Sequence, residues 1–288
     1  MSDYTRVGVV GAGLMGSGIA EVCARAGLDV VVREINEDAV AAGRTRITRS
    51  LDRGAAKGKL THEERDAALS RLTVTADLGA LGDRDLVIEA ATENPDVKAA
   101  LFADIDAAVK RPDAILATNT SSIPIVEVAR ATSRPEQVIG LHFFNPATVQ
   151  KLVEVIPSVL TSEAVTEGAR AFVTGVLGKT AISAPDRSGF VVNALLVPYL
   201  LSAIRMLEAG HATAEDIDAG MRYGCAHPQG PLELSDLIGL DTLQSVAESL
   251  YAEYAEPTYA PPPLLRRMTA ARLLGRKSGR GFYDYGDR

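Results

Sequence analysis

Near the start of the chain, the β-branched run Val7–Val10 leads straight into Gly11-Ala12-Gly13-Leu14-Met15-Gly16. Ser17–Ala26 then reads as a helix with Ile19, Val22 and Cys23 on one face. Gly27 stops that helix. Leu28–Val32 forms a second apolar strand, with Glu34 at its end. Strand, three-glycine turn, helix, strand and acid together leave few folds open. The first glycine permits a tight turn, the second lets backbone approach a pyrophosphate, and the third lets helix pack on strand. Unpaired N–H groups at the helix N-terminus face the phosphates. An acid about 20 residues beyond the glycines accepts from ribose hydroxyls, and its charge repels a 2′-phosphate. The stretch predicts a dinucleotide site of the NAD type. Arg33 keeps a second reading open: beside Glu34 it is either a partner for the 2′-phosphate of NADP or a solvated charge at a strand end.

Strand and helix continue to alternate. Ala39–Leu51 reads as a helix carrying Arg44, Arg46 and Arg49, followed by Lys57 and Lys59. Thr61 with Glu64 makes a capping box for the next helix. Leu72–Thr75 and Leu86–Glu89 read as strands, and Lys98–Val109 as a helix. Ala114–Thr118, Val138–His142 and Leu152–Ile156 are further strands. Thr161–Leu177 is a helix stopped by Gly178, and Thr180–Ala184 is the last strand. This alternation predicts an α/β domain with a Rossmann-like, doubly wound parallel sheet over residues 1–185. From residue 186 the texture changes. Phe190–Leu207, Thr213–Arg222, Pro231–Leu237 and Leu243–Tyr254 all read as helices, which predicts an all-α C-terminal domain over residues 186–288. Pro261-Pro262-Pro263 reads as a rigid connector. The apolar run Leu195–Leu201 on so few helices suggests burial against a second subunit.

Composition narrows the function classes. A chain of 288 residues buries a core without covalent staples. Its 2 cysteines, Cys23 and Cys225, lie far apart, which excludes a disulfide framework and a cysteine-rich zinc site; no metal is expected. A net charge of -7 argues against nucleic acid or an anionic membrane as partner. It leaves room for a local basic patch. Met1–Arg6 is polar and carries no targeting signal. Gly189–Leu207 contains Asn193, Pro198, Ser202 and Arg205, so it reads as a core helix and not as a membrane span. The expected compartment is the cytoplasm.

The chain has 4 histidines. His62 falls in a charged helix turn, His211 at a helix end and His227 in a turn before Pro228. His142 instead ends the apolar run Val138–Leu141, and ligands of open α/β sheets bind at the carboxyl ends of strands. It is therefore either a catalytic group near the nicotinamide or a satisfied structural histidine. Glu154 interrupts the apolar run Leu152–Ile156, where a carboxylate is costly unless paired. It either faces outward on an edge strand or orients an imidazole and stabilises its cation. Thr118-Asn119-Thr120-Ser121-Ser122 follows a strand. Its small polar side chains suit a hydroxyl or carbonyl ligand, or an ordinary turn.

Taken together, the glycine turn, Asn119–Ser122, Gly140-Leu141-His142-Phe143-Phe144-Asn145-Pro146, Lys151–Ile156, Gly189–Asn193, Gly230-Pro231 and Gly279–Tyr283 resemble the L-3-hydroxyacyl-CoA dehydrogenase family, in its short form of bacterial 3-hydroxybutyryl-CoA dehydrogenase type. The resemblance implies NAD-dependent interconversion of (3S)-3-hydroxyacyl-CoA and 3-ketoacyl-CoA by a homodimer. It makes His142 the general base, with Glu154 its partner. Ser121 then contacts the 3-oxygen of the substrate, and Asn193 completes the polar pocket. Gly11, Ala12, Gly13, Leu14, Met15, Gly16, Glu34, Glu93, Lys98, Ser121, Asn145 and Lys277 match cofactor-holding positions, and Ser50 and Lys57 match positions near the CoA phosphates. A sugar-acid dehydrogenase shares the fold but resembles a variant without the Phe143-Phe144 pair. An NAD-binding sensor without turnover is the remaining reading, and it needs no base.

Overall fold

The computed structural model describes residues 4–286. The chain divides into two compact units, one ending at Arg187 and the other beginning at Ser188. The first unit carries eight strands: β1 (Arg6–Val10), β2 (Asp29–Arg33), β3 (Leu72–Thr75), β4 (Leu86–Glu89), β5 (Ile115–Thr118), β6 (Val138–Phe143), β7 (Leu152–Pro157) and β8 (Thr180–Ser183). They form one sheet in the order β3-β2-β1-β4-β5-β6-β7-β8. The switch point lies where β1 has β2 on one side and β4 on the other. Its six helices are α1 (Leu14–Arg25), α2 (Glu37–Ala56), α3 (His62–Ser70), α4 (Pro95–Ala108), α5 (Ile125–Ala129) and α6 (Glu163–Ala171).

Apart from the edge strands β3 and β8, which are only partly buried, the strands are almost unbroken apolar runs because they are buried on both faces. Val7, Val9, Val30, Val32, Leu86, Ile88, Ile139, Leu141, Val153 and Val155 form the core with Ile19, Cys23, Ile47 and Phe172 of the helical layers. The helices start where local chemistry stops them from starting elsewhere. Asn36, Asn94 and Ser162 each accept a backbone N–H in the first turn of α2, α4 and α6. Thr61 and Glu64 close a reciprocal capping box on α3.

Four differences from the sequence reading matter. The sheet is not wholly parallel: β7 runs antiparallel to β6, and β8 is again parallel to β7. Helix α1 begins at Leu14, inside the glycine turn. Helix α4 begins at Pro95, whose missing N–H costs nothing in a first turn. The helix after Ser162 also changes character, becoming π-helical over Phe172–Val176 before Gly178 turns it at φ +61°.

The second unit is helical, with α7 (Val192–Glu208), α8 (Ala214–Ala219), α9 (Pro231–Ile238), α10 (Leu240–Tyr254) and α11 (Pro263–Ala270). Val197, Leu200, Ile204, Leu232, Leu243 and Leu250 are its centre. No helix of the described residues is long and apolar enough to cross a membrane. Two buried carboxylates fasten the C-terminal segment. Asp236 accepts from the backbone N–H of Phe282 and Tyr283 and from the Tyr285 hydroxyl. Asp218 accepts from Leu232 N, Glu233 N and the Tyr283 hydroxyl. Burial pushes Asp236 above the usual carboxylate range, and burial beside Asp236 pushes the Tyr285 phenol up to about 12.

The two thiols differ in the same physical way. Cys23 is fully buried and desolvation pushes its pKa up to about 12, whereas Cys225 is exposed. A disulfide reagent at pH 8 is expected to titrate one thiol in the native protein and both in denaturant. Two fast-reacting thiols in the native state would contradict the burial of Cys23.

Candidate active site

The glycine turn has the shape its sequence requires. Gly11 stands at φ +92°, and a Cβ there would meet Ala91 Cα at 2.7 Å. A Cβ on Gly16 would overlap the carbonyl oxygen of Gly11, so helix and turn touch through hydrogen alone. Gly13 is different: it is exposed, and nothing lies within 4 Å of where its Cβ would be. An open space against a helix N-terminus, bounded by two glycines that allow no side chain, fits a dinucleotide pyrophosphate. Glu34 sits at this mouth. Its Oε1 accepts from Ala12 N at 2.5 Å and its Oε2 from its own neighbour Ile35 N at 3.1 Å. The Arg46 guanidinium donates to the carbonyl oxygen of Ala12. Arg33 is half-buried, and its Nε is buried without a hydrogen-bond partner.

Further along the same edge of the sheet, His142 and Glu154 are directly opposed residues of the antiparallel pair β6–β7. Opposed residues point to the same face, so the two side chains meet. Nδ1 of His142 lies 2.7 Å from Oε2 of Glu154. Glu154 is fully buried, and β7 is flanked by β6 and β8, so it is not an outward-facing residue on an edge strand. The Phe144 ring packs on the imidazole with centroids 4.6 Å apart. The other histidines stand elsewhere: His62 is exposed at the start of α3, His211 is exposed, and His227 pairs with the Tyr199 hydroxyl at 3.1 Å.

Ser121 belongs to the turn after β5. Glu93, on the turn after β4, reaches across to it: Oε1 accepts from Thr120 Oγ1 at 2.7 Å, Ser121 N at 2.7 Å, Ser121 Oγ at 3.0 Å and Ser122 Oγ at 3.2 Å. Asn119 ties the same turn to β6, its Oδ1 accepting from Phe143 N at 2.8 Å. Lys98 is only 1% exposed, and its Nζ meets the fully buried Glu89 and lies 4.0 Å from Glu93 Oε2. Asn145 is exposed just beyond β6. Ser50 is half-buried on α2, with Lys57 exposed at its C-cap.

Thus Gly11–Gly16, Glu34, Glu93, Lys98, Ser121, His142 and Glu154 gather at the carboxyl-end edge of one sheet, Glu154 reaching it through the reversal of β7. Asn193 lies in the first turn of α7 in the second unit. Lys277 lies in that unit's C-terminal segment, paired with Asp241 at 2.5 Å. Sequence reasoning passed over Glu89. It ends the apolar run Leu86–Ile88, the same signal that singled out Glu154. The open glycine and a closed one separate by mutation. Gly13→Ala is expected to fold, losing about 1 kcal/mol because alanine is a poor N-cap, yet to bind NADH at least about tenfold more weakly, equivalent to 1.4 kcal/mol. Gly16→Ala is expected to lose the native fold's thermal transition. A Gly13→Ala protein with unchanged NADH affinity in a fluorescence titration would remove Gly13 from the site.

Comparison with known proteins agrees with this geometry. Residues 6–187 match the NAD binding domain of 3-hydroxyacyl-CoA dehydrogenase, and residues 189–285 match its C-terminal domain. A 3-hydroxybutyryl-CoA dehydrogenase of Mycobacterium tuberculosis is 58% identical over 286 residues, 99% of this chain and 100% of that protein. The crystal structure of M. tuberculosis FadB2 superposes with a TM-score of 0.97 at 58% identity, covering 98% of this chain and 99% of that one. That of (S)-3-hydroxybutyryl-CoA dehydrogenase PaaH1 from Ralstonia eutropha gives 0.93 at 46% identity, covering 99% of this chain and 100% of that one. With both halves of the chain matched in order and a histidine–carboxylate pair at the sheet edge, the chain belongs to the 3-hydroxyacyl-CoA dehydrogenase family.

Proposed function

We propose that this chain is an NAD-dependent oxidoreductase that interconverts (3S)-3-hydroxyacyl-CoA and 3-ketoacyl-CoA, with 3-hydroxybutyryl-CoA and acetoacetyl-CoA as its pair. The observation that carries the chemistry is the 2.7 Å contact between His142 Nδ1 and a fully buried Glu154, on the same edge as the glycine turn. The names of the 58% and 46% identical relatives support the substrate.

NAD, when bound, supplies the hydride acceptor for oxidation and the hydride donor for reduction. Gly11, Ala12, Gly13, Leu14, Met15, Gly16 and Glu34 hold its adenosine and pyrophosphate side. Glu93, Lys98, Ser121 and Asn145 serve the nicotinamide side, and Lys277 is a further cofactor-holding residue. The protein's own part is a proton. An ionised Glu154 accepts from Nδ1–H, so Nε2 is the basic nitrogen of His142. In alcohol oxidation Nε2 takes the proton of the 3-hydroxyl, and the new imidazolium is stabilised by the carboxylate behind it. In ketone reduction Nε2 returns it. Phe144 covers part of the ring and limits water there. Ser121 and Asn193 hold the 3-oxygen; for Ser121 this requires its hydroxyl to leave Glu93. Ser50 and Lys57 serve the CoA phosphates. They stand on one face of α2 with Arg46 and Arg53, at spacings of three and four.

The test is NADH oxidation with acetoacetyl-CoA set against a free sugar acid; activity only with the sugar acid would overturn the substrate assignment. His142→Gln is expected to lower turnover by about 10²–10⁴, with NADH binding intact because the glycine turn is untouched. Glu154→Gln is expected to slow turnover too. The double variant falls little below the worse single one, as residues acting as a unit do. Near-normal turnover in folded His142→Gln rules out this base.

The second unit is proposed to pair with another copy of the chain. Support comes from a largely apolar cleft of about 350 Å³ lined by Tyr199, Met206, Ile217 and Met221. Leu195 and Met206, 72% and 46% exposed, add apolar surface on α7. Light scattering at micromolar concentration is expected to give twice 30.4 kDa. A single 30.4 kDa species refutes the pairing.

A further inference from the structure

We propose that Glu89 is a positioning residue for the nicotinamide end of the cofactor site, acting through Lys98 and through the turns that follow β4 and β5. The inference rests on the cofactor reading above and adds a residue to it. Glu89 is fully buried at the last position of β4 and faces four donors. Oε1 accepts from Ala91 N at 2.8 Å and Thr92 N at 3.4 Å. Oε2 accepts from Thr118 Oγ1 at 2.9 Å and from the Lys98 ammonium. Every partner donates, so only a carboxylate satisfies all of them.

A buried ion pair is a poor way to gain stability, since well-packed apolar side chains of similar volume do as well or better. What the pair does supply is fixed geometry. Ala91 and Thr92 lead directly into Glu93, and Thr118 leads into Thr120-Ser121-Ser122. Glu89 therefore pins both turns from beneath, and Glu93 bridges them from above. It also neutralises Lys98, whose other carboxylate neighbour is Glu93 at 4.0 Å. With Glu89 neutral, the buried ammonium is left to draw on Glu93, and Glu93 gives up the Thr120 hydroxyl and the Ser121 backbone N–H by which it holds the β5 turn.

Glu89→Gln is the direct probe. It keeps shape but turns an amide donor toward donors on one side. NADH binding, read by its fluorescence, is expected to weaken about tenfold or more, the scale of losing a charge-assisted hydrogen bond. ADP-ribose, which lacks the nicotinamide, is expected to weaken by no more than about threefold in calorimetry, since the Glu89 carboxylate bonds to the turns after β4 and β5 and to Lys98 rather than to the glycine turn. Glu89→Asp keeps the carboxylate and is expected to recover part of the NADH affinity. Equal weakening of both ligands marks a merely structural residue and overturns the proposal. So does NADH affinity within about twofold of wild type in a folded Glu89→Gln protein. If that variant does not fold, Thr118→Val removes one donor with little change of shape. It is expected to weaken NADH about threefold and leave ADP-ribose unchanged; no change in either overturns the proposal. Wild-type protein that binds NADH but does not oxidise it with acetoacetyl-CoA defeats the dehydrogenase reading while leaving this one testable.

Discussion

The direction of a single strand decides what this sheet can do. In a parallel sheet all carboxyl ends lie on one edge, so a residue near the start of a strand stands at the opposite edge. Glu154 is the third residue of β7. Were β7 parallel to β6 with the strand starts aligned, its carboxylate would stand two residues short of His142, about 7 Å along the strand direction and out of hydrogen-bond reach. The reversal of β7 puts the two residues in register, 12 positions apart in sequence and 2.7 Å apart in space. The burial cost of Glu154 then has a compensating donor, and the imidazole has a fixed tautomer. The neighbouring pairings remain parallel, so the glycine turn, the β4 turn and the β5 turn stay on that same edge.

Much of this was legible in the sequence, and the gaps have physical reasons. The strands showed themselves as short β-branched runs, and β3 and β4 begin and end where those runs do. The reversal of β7 was not legible. A strand buried on both faces carries no alternation, so nothing in Leu152–Ile156 reports its direction. The pairing of His142 with Glu154 was therefore suggested by cost and by resemblance, not by any local pattern. Helix starts were missed where a low-propensity residue opens the turn. Pro95 and Pro263 both occupy first-turn positions, yet α4 was placed only from Lys98, and α11 was lost to the Pro261–Pro263 connector. Helix α5 has only five residues, too few for periodicity to register.

Glu89 was missed for a different reason. The argument that flagged Glu154, that a carboxylate in an apolar run must be met by donors, applies to it equally. At the end of a strand, however, an acid usually reads as solvated. Only the burial of Lys98 nine residues on exposes the pair, and a lysine in a helix's first turn gives no hint that it points inward.

The charge of the chain and the charge of its proposed substrate have to be reconciled. A protein of net charge -7 should repel a polyanionic thioester at long range. Salt limits that repulsion, since the screening length is about 8 Å at physiological ionic strength. Within that distance the local arrangement governs. Arg46, Arg53 and Lys57 share one face of α2, and Arg46 already leans on the glycine turn through Ala12. The acidic groups at the sheet edge are for the most part spent on protein donors: Glu89 on four of them, Glu93 on the β5 turn, Glu154 on His142 and Glu34 on backbone amides. Their charge is thus drawn into the scaffold, while the cations on α2 remain at the surface. An acidic chain can in this way carry a basic face on α2, because the carboxylates at the sheet edge are engaged by protein donors while Arg46, Arg53 and Lys57 stand exposed.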